Sequence, residues 1–572
     1  MSHVTTARAL SLAVLGLALS GCAALESIYR PAPNVALTQA VTPGSPDCNQ
    51  TPDPSSPPPA YELRDLKDCT APDSFIIYAF TGGGIRSASF GYGVLEATHA
   101  VSVPDASGAH TLDRDIDIVS GVSGGSFTAA AFAYKRQALF PAGEAAPDYY
   151  RKNFLEHNFN GDLLAIYLEP WHWQWLLPDY GTNDEMAKVY GSIGFSSDSD
   201  KLFGERFGDL ARLGRPFLIV QATDFGNEQP FTFTQNDFDL ICSDVDAYPV
   251  QNAVAASAGF PILFSPIQLT NHHFASDNSL LSDDKSAAPT PYCRNHRPSW
   301  VDEVLSIKNP PELSRTFARA QVADGYLPTA PQAAGAAADK PKSAMAQLFA
   351  QPRYVYLQDG GVADNAALRG LMNIVAQSVD NDAATSDEWS AEAAAAACRA
   401  GFGRVRKIMI VSVDGQAEPD NSVSSLPYLS GIGQIMDLAT STAIDANDFE
   451  TMLAADTMTK RLALKLAKLP CFTSPASGDP AVTPYFARLS FRNLNQSAPL
   501  PKLADCGSDG KQTCTVGDLA RSGTSLDFSP DQVDALIEAG RSAFWCDPEI
   551  RRFLTASNAA SAEKNRLACA GE

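Results

Sequence analysis

At 572 residues the chain is long enough to bury a large core, as one enlarged domain or as two to four ordinary ones. Its 43 Lys and Arg against 65 Asp and Glu leave a formal net charge of −22, which argues against nucleic acid as a partner. No polybasic run is present to hold an anionic membrane, so any membrane attachment has to be apolar or covalent.

Residues 1–22 carry one arginine, Arg8, then an apolar run from Ala9 to Leu19, then Leu19-Ser20-Gly21-Cys22. The run is too short for a bilayer span, which needs about 20 apolar residues, so residues 1–21 read as a signal peptide. The tetrapeptide resembles a bacterial lipoprotein lipobox, whose cysteine is acylated and becomes the first residue of the mature chain, here Cys22. A plain secretory signal with an incidental cysteine is the other reading. The resemblance implies a lipid anchor in the bacterial cell envelope, and Ala23 in place of aspartate points to the outer membrane. Besides Cys22 an even number of cysteines remains, and in a chain with an export signal disulfides are expected. Cys48/Cys69 and Cys506/Cys514 are the pairs nearest in sequence. No C-x-x-C occurs and the only adjacent histidines are His272-His273, so no structural zinc site is expected, and no other metal or cofactor is invoked.

From Pro31 to Pro59 the sequence is rich in Pro, Ser, Thr and Asp and poor in large apolar residues, so residues 22–72 read as a partly extended tether. A globular unit over 73–550 follows, with residues 551–572 left as a tail. It opens with a strand at Phe75–Phe80, which leads through Thr81-Gly82-Gly83-Gly84-Ile85-Arg86-Ser87 into a helix ending near Ala100. Ile116, Ile118 and Val119 form a second short strand, Gly121-Val122-Ser123-Gly124-Gly125 a tight turn, and Ser126–Tyr134 a helix. Residues 135–215 look helical and irregular and include Trp171-His172-Trp173-Gln174-Trp175, a cluster that suits either core and folded lid or an acyl-chain groove and membrane contact.

Phe217–Asp224 is a buried strand with a hairpin partner over Phe231–Thr234, and the acidic stretch Asp237–Asp246 reads as a solvated turn rather than a calcium loop. A short helix around Val254–Ala258 stops at Gly259 and Pro261. Residues from about 275 to 350 look like an insertion. The pattern resumes with a strand at Tyr354–Gln358 that delivers Asp359-Gly360-Gly361, a strand at Ile408–Val413, helices through 431–468, a strand near Tyr485–Phe491 and a helix capped by Ser529 with Pro530 at its first position. Strands alternate with helices, so the fold class is α/β with a mostly parallel central sheet.

The stretch that organises this reading is Gly121–Gly125. Glycines two before and two after Ser123 let the chain fold back sharply and present the hydroxyl beside a helix N-terminus. An ordinary Gly-rich strand-to-helix connection has the same pattern. Gly82, Gly83 and Gly84 form a second strand-to-helix connection whose bare N–H groups suit a developing oxyanion, and neither G-x-G-x-x-G nor G-x-x-x-x-G-K-[ST] is matched there. If Asp359 is the acidic partner, the usual Ser-acid-His order fails, because no histidine follows His296. His99, His110, His157, His172, His272 and His273 also sit in no recognisable setting, which favours a serine and aspartate pair without histidine.

Together these segments resemble the patatin-like phospholipase family. Gly82–Arg86 is similar to its oxyanion segment, Gly121–Gly125 to its nucleophile elbow and Asp359-Gly360-Gly361 to its aspartate motif, with weaker support from Ala222-Thr223-Asp224 and Ala256–Pro261. Ser87 departs from the glycine many relatives carry after the arginine. The resemblance implies a patatin-like three-layer fold and a lipid acyl hydrolase, of phospholipase or esterase type, working on a lipid or ester substrate. Ser123 would be its nucleophile, Asp359 its base, Gly82–Gly84 its oxyanion donors and Arg86 either a loop-orienting group, a phosphate contact or a structural ion pair. Two alternatives share the chain: a catalytically silent membrane-anchored binding or scaffold lipoprotein, and an acyltransferase using the same residues.

Overall fold

In the computed structural model of the chain, eight strands join in one sheet. The structure describes residues 34–40, 73–105, 108–140, 148–176, 180–213, 216–261, 263–274, 289–306, 315–328, 351–379, 389, 391–418, 432–472, 481–503, 514–523, 525–561 and 566–572. The signal segment, Cys22, Cys48, Cys69 and Cys506 lie outside them.

The strands are β1 (Ser74–Phe80), β2 (Ile116–Val122), β3 (Phe217–Asp224), β4 (Gln229–Thr232), β5 (Ile267–Thr270), β6 (Tyr354–Gln358), β7 (Lys407–Asp414) and β8 (Thr483–Ser490). Their order is β5-β6-β3-β2-β1-β7-β8, with β4 paired to β3. The five strands from β3 to β8 along that order run parallel, and β4, β5 and β6 are antiparallel additions at one side. β1, β2 and β3 are buried along their whole length, as expected of parallel strands covered on both faces, and each is a near-continuous apolar run. The α/β architecture and the parallel bias read from the sequence hold, and the sheet is mixed.

Helices flank this sheet. α1 (Gly84–His99) leaves β1 and α2 (Gly124–Leu139) leaves β2, and the two pack on each other. α3 (Phe159–Leu168) and α4 (Thr182–Ser192) follow, then α5 (Val250–Ala258), which packs on β3. α6 (Arg369–Val379) precedes the long α7 (Ile432–Leu466), which runs beside β7 and β8. α8 (Pro530–Cys546) packs along α1, and α9 (Pro548–Ala556) closes on β8. Ser529 caps α8 in a capping box with Gln532, as Ser-Pro-Asp foretells. No helix among the described residues is long and apolar enough to cross a membrane.

Three expectations are corrected. The tether is not continuous from 22 to 72: Val35–Ala36 pair with Ser243–Asp244, and Leu37 is buried against the Cys242–Cys293 disulfide. A short extended segment needs only an open strand edge and one apolar slot, and composition does not register either. Residues 551–572 are not a loose tail, because Phe553 meets Tyr485 edge to face, Ala560–Ser561 pair with Val101–Ser102, and Cys569 is disulfide-bonded to Cys546. The acidic stretch is not simply solvated: Asp237 is buried, accepts from Thr232 and pairs with Arg319 at 2.5 Å. That arginine lies within the insertion, whose described helices, Ser299–Leu305 and Arg315–Tyr326, send Val301, Ala323 and Tyr326 into the main core.

Candidate active site

β2 ends at Val122 and α2 begins at Gly124, so the turn between them is Ser123 alone, with φ 49° and ψ −126°. The helix starts two residues earlier than the sequence suggests. A serine at positive φ is strained, and such strain persists only where the surroundings over-determine it. Here the flanking glycines do so by close approach: a Cβ on Gly121 would lie 2.6 Å from Ser126 Cα, and one on Gly125 would lie 2.5 Å from the carbonyl oxygens of Phe80 and Thr81. The elbow is thereby pressed against the end of β1, and the half-buried Ser123 hydroxyl donates to Asp359 Oδ2 at 2.9 Å.

Asp359 stands just after β6. Its Oδ1 accepts the Gly361 N–H at 2.8 Å, its own N–H donates to the Gly259 carbonyl, and its carbonyl accepts from Thr223 Oγ1 at 2.7 Å. Burial pushes the carboxyl up to about 6, against the two hydrogen bonds from Gly361 and Ser123 that favour its charged form. Ser257, at the end of α5, ties the pair together: its Oγ accepts the Ser123 N–H at 2.9 Å and donates to the Gln221 carbonyl at 2.6 Å, while its carbonyl accepts the Gly360 N–H. Thr223 and Ser257 fall inside the two weaker motifs of the sequence, so the segments were visible while their task of holding the pair was not.

The glycine loop rests directly on the elbow. A Cβ on Gly124 would lie 1.9 Å from the Gly84 carbonyl oxygen. Gly82 does not suit the donor role expected of it, because its N–H already donates to the Asn365 carbonyl at 3.0 Å. Among the described residues the N–H groups of Gly83, Gly84 and Gly124 donate to no other group, and the last of these sits at the N-terminus of α2. Gly124 was read as a turn former only. Its position one residue after the nucleophile is the signal for donation.

Arg86 makes contacts of the loop-orienting kind. It is buried, and its guanidinium donates to the carbonyls of Gly415, at 2.9 Å, and Ser522. Burial pushes it down to about 10. It secures the loop that follows β7 against α1.

Sequence reasoning missed Asn365. Its side chain is wedged between both glycine motifs, since a Cβ on Gly82 would lie 2.1 Å and one on Gly361 2.8 Å from its Oδ1. Its Nδ2 donates to Asp448 Oδ2 at 3.4 Å, and Gln416 donates to the same oxygen. Burial pushes Asp448 up to about 7. Asn365 lies six residues after Asp359, and nothing in a lone asparagine announces such a contact.

The histidines are engaged elsewhere. His99 pairs with Asp113, His110 with Asp115, His157 with Asp162 and His172 with Glu185. His272 and His273 contact the carbonyls of Asn34 and Cys293, and His296 stacks on Tyr292. Of the tryptophan cluster, Trp175 packs against the core while Trp171 and Trp173 are exposed.

A serine hydroxyl, a buried carboxylate and unpaired backbone donors in one place are the parts of a covalent acyl-transfer site. No curated protein matches the chain. Residues 78–283, from within β1 past β5, match the family model for patatin-like phospholipase; they include the glycine loop and Ser123 but stop short of Asp359, and they support assignment to the lipid acyl hydrolases.

Proposed function

We propose that the protein hydrolyses ester-linked fatty acids from a phospholipid, lysophospholipid or simpler ester through a Ser123–Asp359 dyad and an acyl-enzyme. The observation that carries this reading is the 2.9 Å hydrogen bond from Ser123 Oγ to Asp359 Oδ2, while the histidines among the described residues are engaged elsewhere. Asp359 takes the Ser123 proton as Oγ attacks the ester carbonyl. The carbonyl π electrons move onto oxygen, and the oxyanion is held by the N–H groups of Gly83, Gly84 and Gly124. Collapse expels the alcohol, which leaves with the proton from Asp359. Water, deprotonated by Asp359, then attacks the acyl-enzyme and releases the fatty acid with Ser123 restored. Loss of one oxyanion donor of this kind costs about 100- to 1,000-fold in rate. We further propose that acylated Cys22 holds the protein to the bacterial envelope, in the outer membrane.

The test uses wild type, Ser123→Ala and Asp359→Asn on a short-chain chromogenic ester and on mixed phospholipid micelles, with folding checked by circular dichroism. Release of fatty acid by wild type and its loss in both variants is the expected result. Folded wild type that is inert on both substrates, or Ser123→Ala with full activity, would overturn the hydrolase reading in favour of a binding protein.

A further inference from the structure

Several large apolar side chains are exposed close to the dyad. Phe260 follows Gly259, whose carbonyl accepts the Asp359 N–H, and Val362 follows Gly361, whose N–H donates to Asp359. On α7, Phe449 follows Asp448, which receives the Asn365 side chain, and is 70 % exposed. Beyond Phe260, the Leu263 carbonyl accepts from Tyr167 Oη on α3, and the Tyr167 carbonyl in turn accepts the Trp173 indole N–H. That contact brings in Leu168, 64 % exposed, together with Trp171 and Trp173. Four segments, the loop after α5, the start of the chain after β6, α7, and α3 with the turn that follows it, thus carry exposed apolar side chains on backbone linked by hydrogen bonds to the surroundings of Asp359. Exposed apolar side chains grouped in this way mark an interaction surface more often than scattered ones do.

We infer that this collar docks on a zwitterionic phospholipid layer and delivers its esters to Ser123. The inference rests on the hydrolase reading. Charge selects the occupant: residues 159–176 contain no Lys or Arg and do contain Asp162 and Glu169, so the collar's largest part offers an anionic surface nothing and an uncharged one its indoles and leucines. Chain length permits it. Cys22 lies twelve residues before Asn34, which is fixed to Ser243 and Thr270, so an acyl anchor there keeps the domain within about 40 Å of its membrane. Tyr167 and Trp173 have their polar atoms satisfied within the protein, which leaves their rings free of a demand for water.

The test takes the full chain into phosphatidylcholine vesicles, some made with bromine-labelled acyl chains, and compares wild type with Trp171→Ser/Trp173→Ser, Leu168→Ser/Trp173→Ser and Phe449→Ser. Wild-type tryptophan fluorescence is expected to be quenched by the brominated lipid, with the increment lost in Trp171→Ser/Trp173→Ser. Hydrolysis of the vesicle lipid is expected to fall at least tenfold in all three variants, with the soluble chromogenic ester cleaved within twofold of wild type. Absence of quenching, or equal loss on both substrates, would overturn the docking surface. So would a wild-type dimer that the same substitutions dissociate, which would give the collar to a second copy. Inactivity of wild type on both substrates would count against the hydrolase alone, since quenching reads the collar without chemistry.

Discussion

At Asp359 one carboxyl oxygen faces a serine hydroxyl and the other a backbone N–H, inside a site that excludes most water. Its pKa of about 6 sets two opposite pH dependences. As a base it works only when ionised, so kcat/KM for the soluble ester is expected to rise through about pH 6 and level off above it. Stability runs the other way. The folded-state value lies above the ordinary carboxyl value of about 3.9, so the neutral form favours folding, and this contribution is complete below about pH 4 and lost as pH rises through about 6. Asp359→Asn is therefore expected to abolish activity while gaining about 2–3 kcal/mol over wild type at pH 8, an advantage that vanishes at pH 4. Denaturant unfolding at the two pH values measures it. At this scale the sequence was informative where chemistry needs a motif: Ser123 and Asp359 announce themselves through neighbouring glycines. Asn365 and Ser257 do not, because each acts across more than a hundred residues of chain or between two other motifs, and a polar residue carries no mark of its distant partner.

Between elements, α1 and α8 lie in close contact. A Cβ on Gly93 would lie 1.9 Å from the Ile537 carbonyl oxygen, and one on Gly540 would lie 2.0 Å from that of Phe90. The helices touch backbone to backbone, and α1 begins in the glycine loop beside Ser123. Gly540→Ala must separate them, at a cost of about 1–3 kcal/mol typical of overpacking in spite of alanine's better helix propensity. It is expected to lower the urea midpoint and also to reduce kcat, because the displaced helix begins at Gly83 and Gly84, the oxyanion donors proposed above. Unfolding curves and initial rates on the soluble ester check both. Helix and strand positions were largely readable, from the apolar runs of β1, β3 and β7 and from the Ser529-Pro530 cap. Helix α2 was placed too late because Gly124 and Gly125 have poor helix propensity, and there tertiary contact overrides it. The α1–α8 contact was not readable, since a glycine inside a helix does not say what it lies against.

In the molecule as a whole, long-range covalent links bind together regions that composition separates. Cys242–Cys293 joins the β4 side to the insertion, Cys398–Cys471 spans 73 residues around β7 and α7, and Cys546–Cys569 fixes the final segment. Cys514 is also disulfide-bonded. By chain entropy a loop of 73 residues contributes about 4 kcal/mol, so Cys398→Ala/Cys471→Ala is expected to lose roughly that amount in denaturant unfolding. The even number of cysteines besides Cys22 signalled bridges, yet pairing depends on which strands and loops end up adjacent, and that is a property of the finished topology. The same topology brings together Ser123 and Asp359 across 236 positions, the first in the family-matched stretch and the second beyond it, just after β6. A chain halted before β6 has the elbow and the glycine loop but nothing to take the serine proton. If the proposed mechanism holds, activity is expected only once Asp359 has been added, and a copy cut short before it is expected to be inert.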